Sequence, residues 1–191
     1  MVLNPVVREI AARVIKNAQW ASLYFAYFEG SNAFLRQHNP NLDENAHELL
    51  SVLDVGLPRL SALCLCRFWD PPGKDRHSLP AILRDASFAK YVGAKDPLFV
   101  KDCARLGQGD LISKLRKFRI VDLAHNLSFN DSDSGFTVDC LREALQQTDS
   151  VVDRLVKILE FPDVHQHELL RSKRENCEQF WKLVGPRVRT N

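Results

Sequence analysis

Apolar residues recur every three or four positions along almost the whole chain, the spacing that puts them on one face of an α-helix. Pro5 suits a first helical turn, where its missing N–H costs nothing. From there Val6, Val7, Ile10, Val14, Ala18 and Ala21 keep the spacing, and Trp20, Leu23, Tyr24, Tyr27 and Phe28 carry it toward Asn39-Pro40-Asn41. This predicts a long first helix with Gly30 as its weak point. Asp43 is placed to cap a second helix reaching about Phe68, bent at Pro58, which lacks a backbone donor. Asp70-Pro71-Pro72-Gly73 stops that helix. Ser78 is placed to cap a short helix over Leu79 to Asp85, and Asp96-Pro97 to open another that runs to Leu106. After the break at Gly107-Gln108-Gly109, Asp110 caps a helix carrying Leu111, Ile112, Leu115, Phe118 and Val121 to about Asn126. Asn130 to Gly135 is polar and reads as loop. Thr137 then begins the amphipathic run Val138, Leu141, Leu145, Val151, Val152, Leu155, Ile158 and Leu159, which Phe161-Pro162 ends. A last helix is predicted from about Val164 to Val184, before the stop at Gly185-Pro186.

No alternating strand run and no internal repeat breaks this pattern. The predicted architecture is all-α: one domain over residues 1–191, core about 5–185, built as a bundle of four or five long helices plus short ones. Bundles place their sites between facing helices or across a subunit interface.

Composition narrows the function classes. The chain has 191 residues, of which 45% are hydrophobic and 26% charged, a balance that argues against wholesale disorder. Its 26 Lys and Arg against 24 Asp and Glu leave a net charge of +2, which excludes a protein that holds polyanions by bulk charge. The five cysteines, Cys64, Cys66, Cys103, Cys140 and Cys177, are odd in number and scattered, so they make no secreted disulfide framework. Free buried thiols in a reducing cytoplasm are expected. Arg8, Glu9, Arg13 and Lys16 interrupt the N-terminal apolar pattern, and no uninterrupted apolar run approaches the roughly 18 residues of a spanning helix. The expectation is a soluble, cytoplasmic protein with no membrane partner.

Candidate chemistry is sparse. There is no Gly-rich phosphate loop, Cys-x-x-Cys pair, His-Glu-x-x-His or Gly-x-Ser-x-Gly. Cys64 and Cys66 lie on an apolar helix with no histidine nearby, and their sulfurs point to different faces. His165 and His167 have no third ligand within reach along the sequence, so no metal and no cofactor is expected. The aromatic set Trp20, Tyr24, Tyr27 and Phe28 has the spacing of a core face. From Lys101 to Arg119, however, six cations (Lys101, Arg105, Lys114, Arg116, Lys117, Arg119) face only Asp102 and Asp110, a local sum of +4, and His125 follows on the same predicted helix. Cations near a helix C-terminus oppose its dipole, and Asp122 stands three residues from both Arg119 and His125, so ordinary surface pairing accounts for the pattern too. Arg67 and Asp70, three apart, fit an intrahelical pair. The segment from Arg171 also sums to +4, but no tight recognition turn precedes it, which argues against a helix-turn-helix.

The stretch from Arg119 to His125, with five residues between, resembles the Arg-x(4–6)-His motif of the HEPN superfamily. The wider chain looks most like the branch named after the AbiU abortive-infection protein. There, a helix ending like Leu63-Cys64-Leu65-Cys66-Arg67-Phe68-Trp69-Asp70 precedes a loop and a Ser-Leu start like Ser78-Leu79. The resemblance implies a small helical bundle acting as a metal-independent ribonuclease of toxin–antitoxin or phage-defence systems. It also implies a site assembled at a homodimer interface, with Arg119 and His125 catalytic. Two departures stand out: Ile120 occupies the place after the Arg where such motifs commonly carry Asn, Asp or His, and Leu127 occupies that of a Tyr which a partner enzyme modifies.

Metal-free RNA cleavage needs a base for the 2′-OH, an acid for the leaving 5′-oxygen and positive charge on the phosphorane. His125 suits the base or acid role, Arg119 the phosphate. Six helical steps leave these two about 120° apart around an ideal axis, so one protomer makes a poor site and two motifs across a twofold axis a better one. Asp122 and Asn126 are expected to orient the pair, Arg67 and Asp70 to line or brace it, and Lys114, Arg116 and Lys117 to guide RNA. An antitoxin protein is a further expected partner. The rival reading is a non-catalytic helical module in which Arg119, Asp122 and His125 knit a dimer or bind a protein, nucleotide or RNA; Ile120 favours it.

Overall fold

A computed structural model of the chain describes residues 3–38, 44–74, 77–121 and 135–161, together with positions 172, 173, 175, 176 and 179. Among these residues the fold is all-helical, with seven helices and no strand. Asp43, the stretch 122–134 and most of the predicted last helix, with His165, His167 and Cys177, lie outside the described residues.

The first helix, α1, runs Pro5–His38 without interruption at Gly30. Asn4 starts it, accepting at Oδ1 from the Val6 N–H (2.9 Å), while its carbonyl takes the Arg8 N–H. Val14, Ala18 and Ala21 are buried as the periodicity predicts; Ala11 is buried where Ile10, only half-buried, is expected, and Val6 and Trp20 are exposed. The second helix, α2, runs Glu44–Trp69 with Pro58 inside it. One face of α2 buries Leu50, Ala62, Leu65, Phe68 and Trp69, and the opposite arc exposes Leu49, Val52, Val55, Leu60 and Leu63. A helix apolar on both faces scores as a candidate span: His47–Trp69 (23 residues, mean hydropathy 1.7) is long and apolar enough to cross a membrane by length and composition, and a third of it is buried within the fold. The count of uninterrupted apolar runs passes over this stretch because Glu48, Asp54, Arg59 and Arg67 punctuate it.

Four shorter helices follow. Ser78 caps α3 (Leu79–Ile82), accepting from the Ala81 N–H. The periodicity predicts no helix over 86–95, yet α4 (Ala86–Lys95) forms there, capped by Asp85, whose carboxylate accepts from Ser87 Oγ and the Phe88 N–H. It buries only Phe88 and Val92, too short a stripe to stand out in the sequence. The next helix, α5 (Phe99–Gly107), begins without a side-chain cap. Asp96 serves instead as the C-cap of α4, and its carboxylate goes mainly to Arg154. α6 spans Asp110–Val121 and buries Ile112, Leu115 and Phe118. α7 (Val138–Leu159) starts at Thr137, whose hydroxyl accepts from the Cys140 N–H, and closes on Glu160 in the left-handed conformation (φ 52°). The Glu160 side chain pairs with Lys95 at 2.5 Å.

Two compact units result. One comprises Met1–Ala21 and Ala62–Asp163, the other Ser22–Ser61 and Val164–Asn191. In the second unit Phe34 and Leu50 form a small core with Tyr27, Leu35 and Leu53. In the first, α5 is the hub, packing against α3, α4, α6 and α7. Arg154 of α7 locks that hub, gripping Asp96 and Asp102 at 2.8 Å each while lying over the Phe99 ring. Trp69, at the end of α2, is buried edge-on to Phe68, and its indole N–H donates to Thr148 Oγ1 (2.9 Å) in the middle of α7. Thr148 in turn donates to the Ala144 carbonyl.

Thr148→Val keeps shape and removes the hydroxyl that accepts from the buried indole N–H. Urea unfolding is expected to show a loss of about 1–3 kcal/mol, with Thr148→Ser retaining most of the stability.

Candidate functional site

The two stretches that carry the predicted chemistry, 63–70 and the end of α6, meet in space. Asp70 is the first residue past α2, and only 5% of its surface is exposed. Arg119 Nη1 donates to Asp70 Oδ2 at 2.8 Å and stands equally close to Oδ1, which has no hydrogen-bond partner among the described residues. The ion pair therefore hangs on one nitrogen of the guanidinium, whose side chain keeps 22% of its exposure. That hydrogen bond, with smaller coulombic support from Cys66 and Asp70, holds the Arg119 guanidinium above its ordinary value, against the opposing pull of burial.

One turn earlier on α6, Arg116 performs a different task. Its Nη1 donates to the Gly107 carbonyl (2.9 Å) and its Nη2 to the Trp69 carbonyl (2.5 Å). These carbonyls belong to the last turns of α5 and α2, which no intrahelical N–H can satisfy. Arg116 Nε is buried with no partner among the described residues. Burial pulls the Arg116 guanidinium below its ordinary value, while the neighbouring Asp70 carboxylate pulls it back up. Gly107 makes the approach possible: a Cβ there would stand 3.3 Å from Trp69 Cε3.

The remaining cations separate. At about 100° per residue, Arg116 and Arg119 lie only about 60° apart, on one edge of the Ile112, Leu115 and Phe118 face. Lys114 sits on the far edge and pairs with Asp110 at 2.8 Å, and Lys117 and Ile120 face outward. Of the three residues expected to guide RNA, Arg116 is thus committed inward to two helix ends, and the three do not share a face. Arg67 is exposed on α2, while the carboxylate expected to pair with it, that of Asp70, is held by Arg119 across 49 positions of sequence. His125, Asp122 and Asn126 lie outside the described residues.

Two of the thiols, Cys66 and Cys103, are buried. Cys66 is fully buried, its Sγ donating to the Leu115 carbonyl (3.6 Å), whereas Cys64 is half-buried, so the two sulfurs do take different faces. Burial pushes the Cys66 thiol up to about 12, chiefly opposed by the charge of Arg119, and the Cys103 thiol likewise to about 12. Among the described residues no group of three or more His, Cys, Asp or Glu is disposed to hold a metal ion.

Against family models, curated proteins and solved structures, the chain has no match.

Sequence reasoning missed Arg116 as a clamp, Thr148 as the partner of Trp69, and Gly107 as the contact that seats the indole. Only Gly107 carried any signal, as part of a Gly-Gln-Gly break. The thiol chemistry is directly testable. A thiol kept protonated near neutrality is a poor nucleophile. Cys66 and Cys103 are therefore expected to resist labelling by a disulfide reagent at pH 8 in the folded protein and to react at once in denaturant. Fast labelling of either in the folded state would contradict the burial described.

Proposed function

We propose that the chain is a metal-independent endoribonuclease of the HEPN type, a cytoplasmic toxin or phage-defence component whose site forms between two copies. The observation that carries this reading is the 2.8 Å contact between Asp70 and Arg119. The resemblance rests on two short stretches far apart in sequence, one ending at Asp70 and the other beginning at Arg119, and their joining in one cluster supports a shared role. Asp70 holds Arg119 through Nη1, which leaves the Nε and Nη2 edge of the planar guanidinium to grip a phosphate. His125 serves as general base toward the 2′-OH or as acid toward the leaving 5′-oxygen, and the second copy supplies the complementary His. Asp122 and Asn126 orient these groups, exposed Lys117 and Arg67 attract the strand, and an antitoxin protein restrains the enzyme.

A second reading, a non-catalytic module that binds a protein or nucleic acid, is favoured by one observation. Ile120 is 58% exposed where a polar residue would assist catalysis, which fits a contact surface better than a reaction site.

The two readings part on RNA cleavage in excess chelator. The ribonuclease reading expects cleavage by the wild-type chain and a loss of at least about 100-fold in His125→Ala, the usual scale of a general acid–base contribution. Arg119→Ala is expected to fall comparably, and growth arrest on expression is expected to be relieved by His125→Ala. Undiminished cleavage by either variant, or cleavage that requires metal, overturns it.

A further inference from the structure

Beside the Asp70–Arg119 pair, and within the same unit, lies a cavity of about 360 Å³. That volume falls in the range used by small-molecule sites, roughly 300–1,000 Å³. Its lining includes the buried Trp69, the residue before Asp70, together with Pro71, Leu79, Leu83 and Val100. These are apolar surfaces, fit to border a planar ring. The polar side chains of the lining are few: Arg84 and Arg116, two cations, the carboxamide of Gln108 and the buried Cys103 thiol, with no carboxylate among them. Arg116 is the clamp whose buried Nε has no partner among the described residues. Arg84 and Gln108 are exposed at the mouth.

A ligand that satisfies this lining needs a planar, largely apolar body, hydrogen-bond acceptors on its edge, and a negative charge outside. Arg and Gln are the side chains that read base edges, and apolar or aromatic surfaces are what an unstacked base of single-stranded RNA settles on. We propose that this cavity is a nucleotide subsite: it takes the base of a nucleotide, Gln108 contacting the base edge and Arg84 the phosphate, while Arg116 holds the two helix ends that frame it. The inference rests on the ribonuclease reading for its source, a nucleotide next to the phosphate held at Arg119, because Trp69 and Asp70 are consecutive and Arg116 and Arg119 are one turn apart. A free nucleoside monophosphate offers the same chemistry.

Titration calorimetry on the full chain tests the cavity apart from cleavage. The probes are adenosine and uridine 5′-monophosphate, a short single-stranded RNA with 2′-O-methyl sugars that cannot be cut, inorganic phosphate, and octanoate. The expected result is saturable binding of a monophosphate or of the RNA, with phosphate alone and octanoate at least tenfold weaker. Binding of the RNA tighter than either monophosphate assigns the strand as source; the reverse assigns the free nucleotide. Ala104→Trp fills the mouth from an exposed position on α5, so it leaves the core intact, and it is expected to weaken binding at least tenfold. Gln108→Ala is expected to weaken it several-fold. Octanoate binding more tightly than every nucleotide, or nucleotide affinity unchanged in Ala104→Trp with an unaltered melting temperature, overturns the proposal. Nucleotide binding by a chain that cleaves no RNA keeps the subsite and removes the ribonuclease. RNA cleavage with an unmodified RNA that is indifferent to Ala104→Trp and Gln108→Ala does the reverse.

Discussion

A carboxylate buried at the end of a helix must find a cation or lose its charge, and in this fold Asp70 finds Arg119. The pair ties the end of α2 to α6, two elements that the chain separates by a loop and three short helices. Removing one member would leave a buried charge alone, which costs far more than the pair itself contributes. Arg116 completes the same junction from the next turn, donating to the helix-end carbonyls of Trp69 and Gly107. Two arginines three residues apart thus do separate work: one neutralises a side chain, the other finishes two helix ends. With those ends fixed, Trp69 can be fully buried, reaching Thr148 on α7 and closing against Gly107.

The junction also organises what the unit can do. Structural clamping engages both terminal nitrogens of Arg116, while Arg119 holds its carboxylate through Nη1 and stays partly exposed. The cavity is lined by Trp69, so the buried ion pair at Asp70 and a recess of about 360 Å³ share one short piece of backbone. A helical bundle that lacks glycine-rich phosphate loops has few other ways of placing a cation beside a recess. The near-neutral total of +2 conceals a local excess, since the stretch from Lys101 to Arg119 holds six cations against two carboxylates.

How much of this the sequence made legible depends on the range of the interaction. Helices that carry a long apolar stripe or a local cap were readable: α1 from its three–four spacing, α3 from Ser78, α7 from Thr137 and its nine buried positions. What failed was local reading of residues with distant partners. Asp96 looked like the cap of α5, but its carboxylate answers to Arg154, 58 positions away. Asp70 reads locally against Arg67, three positions back, and its buried place past α2 also gives it to Arg119, 49 positions on. Arg116 looked like one of three surface cations, and only the crossing of α6 over the ends of α2 and α5 turns it inward. Helix α4 escaped because two buried residues make no periodicity. Arg119 was singled out by its spacing to His125, and Asp70 by resemblance alone; no local pattern links the two.

The central claim is that Asp70 and Arg119 act as one unit, and a double-mutant cycle measures that directly. Asp70→Asn, Arg119→Gln and the double variant would be compared by urea unfolding of the full chain. The account predicts a coupling of about 1–3 kcal/mol, the double variant being less destabilised than the sum of the singles. Additivity to within about 0.5 kcal/mol would contradict it.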